Sequence, residues 1–234
     1  MEFQPIKDRV VYEDNHIIII NKLPGELVQG DITGDLTLVD DVKKYLKEKY
    51  NKPGNVYLGI PHRIDRPTSG IVVYAKTEKA LKRLCETFRK GDVKKIYWAI
   101  TDNAPEKKEG TLVHYILRDA KKNKSFATPI EKPGSKLAKL DYKLLAASKS
   151  FFLVEIDLLT GRHHQIRAQL AAINVHVKGD LKYGAKRSNK DGGISLHARS
   201  ISFPHPVKEE MVSVVADPPK EVVWNAFMTS KPTE

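Results

Sequence analysis

Short β-branched runs broken by turn residues constrain this chain more than any other feature. Val10-Val11-Tyr12 and Ile17-Ile18-Ile19-Ile20 flank the turn Glu13-Asp14-Asn15-His16. Ile71-Val72-Val73-Tyr74-Ala75 follows an irregular loop over residues 61–70. Runs of this length, bounded by Gly, Pro, Asn and Asp, read as strands. Further strands are read at 94–100, 111–116, 136–145, 151–159 and 211–216, with 136–145 and 151–159 pairing antiparallel across 146–150. Helices are few. Thr37 caps one that runs to residue 50, with Asp40 and Asp41 in its first turn and Leu38, Val42, Tyr45 and Leu46 on one face. Thr77 caps a second over 78–90, and Gly91 stops it. Ala80, Leu81, Leu84, Cys85 and Phe88 form its apolar stripe, so Cys85 reads as an inert core thiol. A third helix opens near Gln165 and runs to about Ile173. Asp217-Pro218-Pro219 starts a terminal one, with Asp217 as its cap. There is no internal repeat.

With 234 residues, 41% of them hydrophobic, the chain can bury a real core. Lys+Arg 40 against Asp+Glu 29 gives a net charge of +11, which fits an anionic partner such as nucleic acid, or a merely soluble basic protein. One cysteine excludes an internal disulfide framework and fits a reducing compartment. Met1-Glu2-Phe3-Gln4-Pro5 has neither the basic start nor the apolar stretch of a signal peptide, and runs of the Ile17–Ile20 type are far too short to span a membrane. The expected location is the cytoplasm.

Four places carry candidate chemistry. In Pro61-His62-Arg63-Ile64-Asp65-Arg66-Pro67-Thr68-Ser69-Gly70 a single carboxylate, Asp65, lies between two arginines that favour its ionised form. It is either a held nucleophile or a structural ion pair. Lys22, at a strand end in Asn21-Lys22-Leu23-Pro24-Gly25, is a solvated lysine or a phosphate contact. Alternation puts Lys95, Tyr97 and Ala99 on one strand face, so Tyr97 is a core aromatic or part of a cleft wall. Arg167 lies beside the apolar stripe Ile166, Leu170, Ile173, where it must find a partner or reach water. His163 and His164 are adjacent, but the spacing of a zinc site is missing and no metal is expected. The basic segments 118–124 and 182–190 are solvated loops or RNA contacts, the second read as a mobile, gripping loop.

The segment PHRIDRPTSGIVVYAK resembles the catalytic motif H-R-L-D-x-x-T-S-G of the RluA family of pseudouridine synthases. VYEDNHIIIINKLPG is similar to the family's first motif, with Leu23 as an insertion, and LTGRHHQIR is similar to L-x-T-G-R-T-H-Q-I-R, with His163 in place of a threonine. Lys95-Ile96-Tyr97-Trp98-Ala99 resembles its K-x-Y-x-A segment, and Gly179-Asp180-x-x-Tyr183-Gly184 and Leu196-His197-Ala198 through Phe203-Pro204-His205-Pro206 complete the likeness.

The resemblance implies an α+β fold: a curved, mainly antiparallel mixed sheet with flanking helices and a central catalytic cleft. It implies a single catalytic domain over 1–234, with no separate N-terminal RNA-binding domain. The implied activity is isomerisation of uridine to pseudouridine in ribosomal or transfer RNA, with no cofactor and no metal. Asp65 is then the catalytic carboxylate and Tyr97 the residue that stacks on the target base. Arg63 helps displace the base, Ile166 lines its pocket, and Arg167 pairs with Asp65. Lys22, Arg66, Arg162, His164, Lys182, Lys186 and Arg187 are the expected RNA contacts. The partner is RNA, with no membrane and no obligate protein partner, and the expected state is a monomer. Two competing readings are a catalytically inactive RNA-binding module of the same fold and a nucleoside or sugar hydrolase, which would need a second carboxylate facing Asp65.

Overall fold

The computed structural model describes residues 3–30 and 34–229, so Met1 and Glu2 of the opening segment lie outside the described residues. In chain order the first elements are β1 (Val10–Glu13), β2 (Ile17–Lys22), α1 (Leu38–Lys49), β3 (Ser69–Ala75), α2 (Glu78–Lys90), β4 (Lys94–Thr101), β5 (Glu109–Asp119) and β6 (Lys124–Thr128). There follow β7 (Lys136–Ala147), β8 (Phe152–Asp157), α3 (Gln165–Ala172), β9 (Leu196–Pro204), β10 (Met211–Val215) and α4 (Val222–Thr229). Open sheets with flanking helices make this an α+β protein, and its main strand pairings are antiparallel. The chain forms two compact units, Met1–Val93 with Arg199–Asp217, and Lys94–Ala198 with Pro218–Glu234.

In the first unit β1, β2 and β3 form an antiparallel meander, and β9 and β10 a hairpin. Asp14 Oδ1 accepts from the backbone N–H groups of His16 and Ile17 and closes the β1–β2 turn. Ile17 to Ile20 and Ile71 to Ala75 are all buried, on both strand faces. That is why both runs are continuously apolar instead of alternating. Each such Ile or Val contributes about 1.5–3 kcal/mol by leaving water. Lys22 pairs with Gly70 in the ladder, so the end of β2 lies beside the end of the Asp65 loop. The helices start as their caps predict. Thr37 and Asp40 form a reciprocal capping box on α1. Thr77 Oγ1 accepts from Ala80 N, and Gly91 ends α2 at φ 84°.

Cys85 corrects the sequence reading, since it is exposed. At about 100° per residue, Ala80 and Leu84 fall close together while Cys85 turns about 140° away from Ala80. It sits past the edge of the buried stripe.

In the second unit β4, β8, β7, β5 and β6 lie side by side in that order, each pair antiparallel. Residues of α3 pack with this sheet in one cluster that includes Ala99, Leu140, Val154, Ile156, Ile166 and Leu170. Trp224 and Phe227 of α4 close a second cluster with Ile100 and Leu153. The terminal helix begins at Val222, not at Asp217. Asp217 pairs instead with Arg199 at 2.7 Å. Two consecutive prolines disfavour helix in the residues before them, and Glu221 takes over as cap, accepting from Val223 N at 3.2 Å and Trp224 N at 3.4 Å.

Candidate active site

The Asp65 loop is held by its own backbone and by groups beneath it. Thr68 N donates to Asp65 O at 3.0 Å and closes a turn over Arg66 and Pro67. Gly25 N donates to Arg66 O at 2.9 Å, and Arg66 Nε returns a bond to Gly25 O at 2.9 Å. Gly25 adopts φ 90°, a left-handed conformation that favours glycine, and this lets its N–H and carbonyl face Arg66 together. Asp65 itself is half-buried; Arg63 and Arg66 are exposed. Arg66 Nη1 also pairs with Asp35 at 3.0 Å, both side chains being about half exposed.

Lys22 overturns both of its sequence readings. Its side chain is fully buried, and Nζ donates to Leu23 O at 2.8 Å, Glu26 O at 2.9 Å and Arg66 O at 2.9 Å. All three N–H donors of the ammonium are taken by carbonyls, so none is left for water or an RNA phosphate. Burial pushes the Lys22 pKa down to about 7, against the opposing pull of the Glu26 and Asp65 carboxylates. Glu26 is also buried. It accepts two bonds from Arg9, at 2.7 and 3.0 Å, and one from Leu23 N at 2.7 Å. A buried Arg9–Glu26–Lys22 network therefore supports the loop. Sequence reasoning missed Arg9 and Glu26, and only the lack of an apolar residue at either place hinted at them. His62 was missed too. Its Nε2 accepts from Val73 N at 2.9 Å, and its ring stacks on Phe88 with centroids 4.5 Å apart.

The second unit gathers the other expected groups. Tyr97 and Ile166 pack in the same cluster, Tyr97 half-buried at its margin and Ile166 buried. Tyr97 thus packs on the core, as one of its two readings expects. Lys95, on the same face, has its pKa lowered by burial despite the pull of Asp157. Arg167 is 5% exposed and forks onto Asp180, Nε to Oδ2 at 2.6 Å and Nη2 to Oδ1 at 2.8 Å. Its guanidinium also lies 4.9 Å from the Tyr183 ring centroid. Tyr183 OH receives Ser125 N at 2.7 Å and meets His164 Nδ1 at 2.9 Å. Asp180 and Tyr183 belong to the segment Gly179-Asp180-x-x-Tyr183-Gly184, but spacing alone did not reveal whom they hold.

His163 stacks on His164 with centroids 3.8 Å apart, and its Nδ1 lies 2.8 Å from Ser125 Oγ. His163 thus contacts the β5–β6 hairpin through Ser125. Arg162 is exposed and gives Nε to Leu137 O at 2.9 Å; Lys182 is exposed and gives Nζ to Asn123 O at 3.1 Å. Lys186 and Arg187 are exposed on a loop whose Asn189 bonds Lys178 and Ser195, at 2.8 and 3.1 Å. Among the described residues no three His, Cys, Asp or Glu side chains cluster as metal ligands, and no helix is long and apolar enough to cross a membrane.

The sequence profile of the RNA pseudouridylate synthase family matches residues 16–172, which include Asp65, Tyr97 and Arg167. The chain belongs to that family. An uncharacterized RNA pseudouridine synthase of Bacillus subtilis, YlyB, is 32% identical to it over 222 residues, covering 94% of this chain and 72% of that protein. Ribosomal large subunit pseudouridine synthase D of Zymomonas mobilis is 30% identical over 231 residues, with coverages of 94% and 72%. A Synechocystis relative of the same family is matched over 65% of its length, so the synthase described here spans about two thirds to three quarters of these relatives. In fold it is similar to human RNA pseudouridylate synthase domain containing 4, with a TM-score of 0.80 at 24% identity over 97% of this chain and 96% of that one.

Proposed function

We propose that this synthase isomerises uridines in structured RNA to pseudouridine, using Asp65 as its one essential carboxylate and no cofactor. The observation that carries the reading is the unbroken motif from Pro61 to Gly70, on a loop anchored through Arg66, inside the family span. In the reaction the N1–C1′ bond breaks, the base turns, and a C5–C1′ bond forms. The C5 hydrogen leaves to water and N1 ends protonated. Substrate and product are isomers, so no electrons are exchanged with a redox partner. Asp65 either adds to C1′ or takes a proton from C2′.

The target base must leave its stack to be reached. Tyr97 is assigned as its stacking partner, a contact worth about 1–3 kcal/mol. Ile166 is assigned to the base pocket, Arg63 to displacement of the base, and Arg167 to the charge balance of Asp65. Arg66, Arg162, His164, Lys182, Lys186 and Arg187 are assigned to the RNA backbone. Ribosomal RNA is the first substrate to offer, because a relative is named for the large ribosomal subunit; transfer RNA is the second. The enzyme is proposed to act as a monomeric catalytic domain in the cytoplasm.

The test is tritium release from C5-tritiated uridine in large-subunit ribosomal RNA and in total transfer RNA, each from cells lacking this gene. Release by the wild type and none by Asp65→Asn supports the reaction and the residue. RNA binding with no release from either pool would favour an inactive RNA-binding module, and free uracil as product would favour a hydrolase.

A further inference from the structure

The second unit holds a cavity of about 1180 Å³ between the end of β4, the segment after α3, loop 184–191 and the start of α4. Lys186, Arg187, Lys190 and Lys220 stand exposed around it. None of the four forms an ion pair among the described residues. The carboxylates that share the lining are already engaged. Asp102 accepts from His176 N at 3.0 Å and lies 3.2 Å from its Nδ1. Glu221 meets Lys178 at 3.4 Å while capping α4, and Asp191 accepts from Gly193 N at 2.9 Å. Four cations outside any ion pair therefore stand around the cavity, and its lining carries more positive than negative side chains.

The loop that carries this charge is built, not loose. Besides the bonds of Asn189 to Lys178 and Ser195, the Asn189 side chain fills the space beside Gly179, 2.7 Å from where a Cβ would stand. His176 fills the space beside Gly184 in the same way, also at 2.7 Å. Both glycines have positive φ, 89° and 107°, so the close packing and the backbone turn each exclude a side chain there. Half-buried Phe151 and Pro219 and exposed Val222 add apolar side chains to the lining. Apolar side chains beside exposed cations suit a nucleotide, whose base has a flat π-face and whose phosphate is charged. Asp102, the residue after the end of β4, lies five residues beyond Tyr97, roughly 16 Å along an extended chain. This is not the pocket of Tyr97.

We propose that the cavity binds an unpaired nucleotide of the RNA substrate other than the reacting uridine. The cations take its phosphates, and Phe151 and Pro219 lie under its base or ribose. The inference rests on the reading that the substrate is RNA.

The experiment measures affinity in an Asp65→Asn background, so that binding is read without turnover, for a fluorescein-labelled oligouridylate and for total transfer RNA. The triple variant Lys186→Ala, Arg187→Ala, Lys190→Ala is compared with Lys79→Ala, Lys82→Ala, Arg89→Ala on exposed positions of α2, which removes the same charge. The cavity triple is expected to weaken binding at least about tenfold and to lower the slope of log Kd against log salt by about 2, since each phosphate on a single strand contributes about 0.7. The control triple is expected to change affinity less than about threefold. Val222→Glu, which places a negative charge in the lining without removing a cation, is expected to weaken binding as well. Equal affinities for the two triples overturn the site, whatever the tritium assay gives. The expected affinity pattern with no tritium release from the wild type overturns the proposed reaction and leaves the site standing.

Discussion

Lys22 Nζ lies 2.9 Å from the carbonyl oxygen of Arg66, and this bond ties the end of β2 to the loop that carries Asp65. Residues 44 positions apart meet there, through a lysine side chain that is fully buried.

Lys22→Met keeps much of the shape and removes the donors. Leu23 O and Glu26 O lose their bonds, whereas Arg66 O retains Gly25 N. The expected cost is about 2–4 kcal/mol in urea unfolding. RNA affinity of the folded variant should stay within about twofold of the wild type, because Lys22 presents no donor to a phosphate. Unchanged stability with a tenfold weaker Kd would return Lys22 to the RNA interface.

Asp180→Asn removes the charge of the carboxylate onto which the buried Arg167 guanidinium forks. Breaking a buried pair of this kind costs about 3–5 kcal/mol. Arg167→Lys should also destabilise, since a single ammonium cannot reproduce the two parallel bonds at 2.6 and 2.8 Å. The double variant Arg167→Met, Asp180→Leu is expected to cost clearly less than the sum of Arg167→Met and Asp180→Leu alone. Strict additivity in urea melts would show that the two side chains are not coupled.

Acid sensitivity is expected from the β1–β2 turn. Burial pushes the Glu13 carboxyl up, but bonds from Lys49, Lys76 and Tyr50 outweigh it and hold the pKa at about 2, below the ordinary 4.5. Burial likewise raises Asp14, and the N–H groups of His16 and Ile17 outweigh it, again giving about 2 against 3.8. The folded state therefore binds these protons less readily than the unfolded chain. The stabilisation is complete above pH 4.5 and is lost as pH falls through that value toward 2. Glu13→Gln should flatten this part of a stability–pH curve, and an unchanged slope would remove Glu13 from the account.

Cys85 should react in the native protein with one equivalent of a thiol reagent. Because the side chain is exposed, the rate should lie within about tenfold of the rate in urea. A native thiol that reacts only on unfolding would put it back in the core.

Local signals were read well from sequence. Thr37 and Thr77 cap the helices where expected, Gly91 stops α2, and Ile17 to Ile20 and Ile71 to Ala75 are strands. Each depends on neighbours within a few residues, which the chain order already lists. The terminal helix was misplaced because Asp217 has a distant partner, Arg199, that competes with capping. Cys85 was misplaced because a stripe was drawn too wide by one residue. In the site, the Asp65 loop and the adjacency of Tyr97 and Ile166 to one core were within reach of pattern and resemblance; Glu26, Arg9, His62 and Asp180 were not.

The sequence by itself determined the strands other than β6 and β9, the first three helices, the family and the candidate carboxylate, because periodicity, caps and contiguous motifs are local properties. Only the tertiary structure decided what Lys22 and Arg167 do. A buried cation is defined by the oxygens around it. Those oxygens come from Arg66 and Glu26 for the one and Asp180 for the other, and only folding brings them within bonding distance.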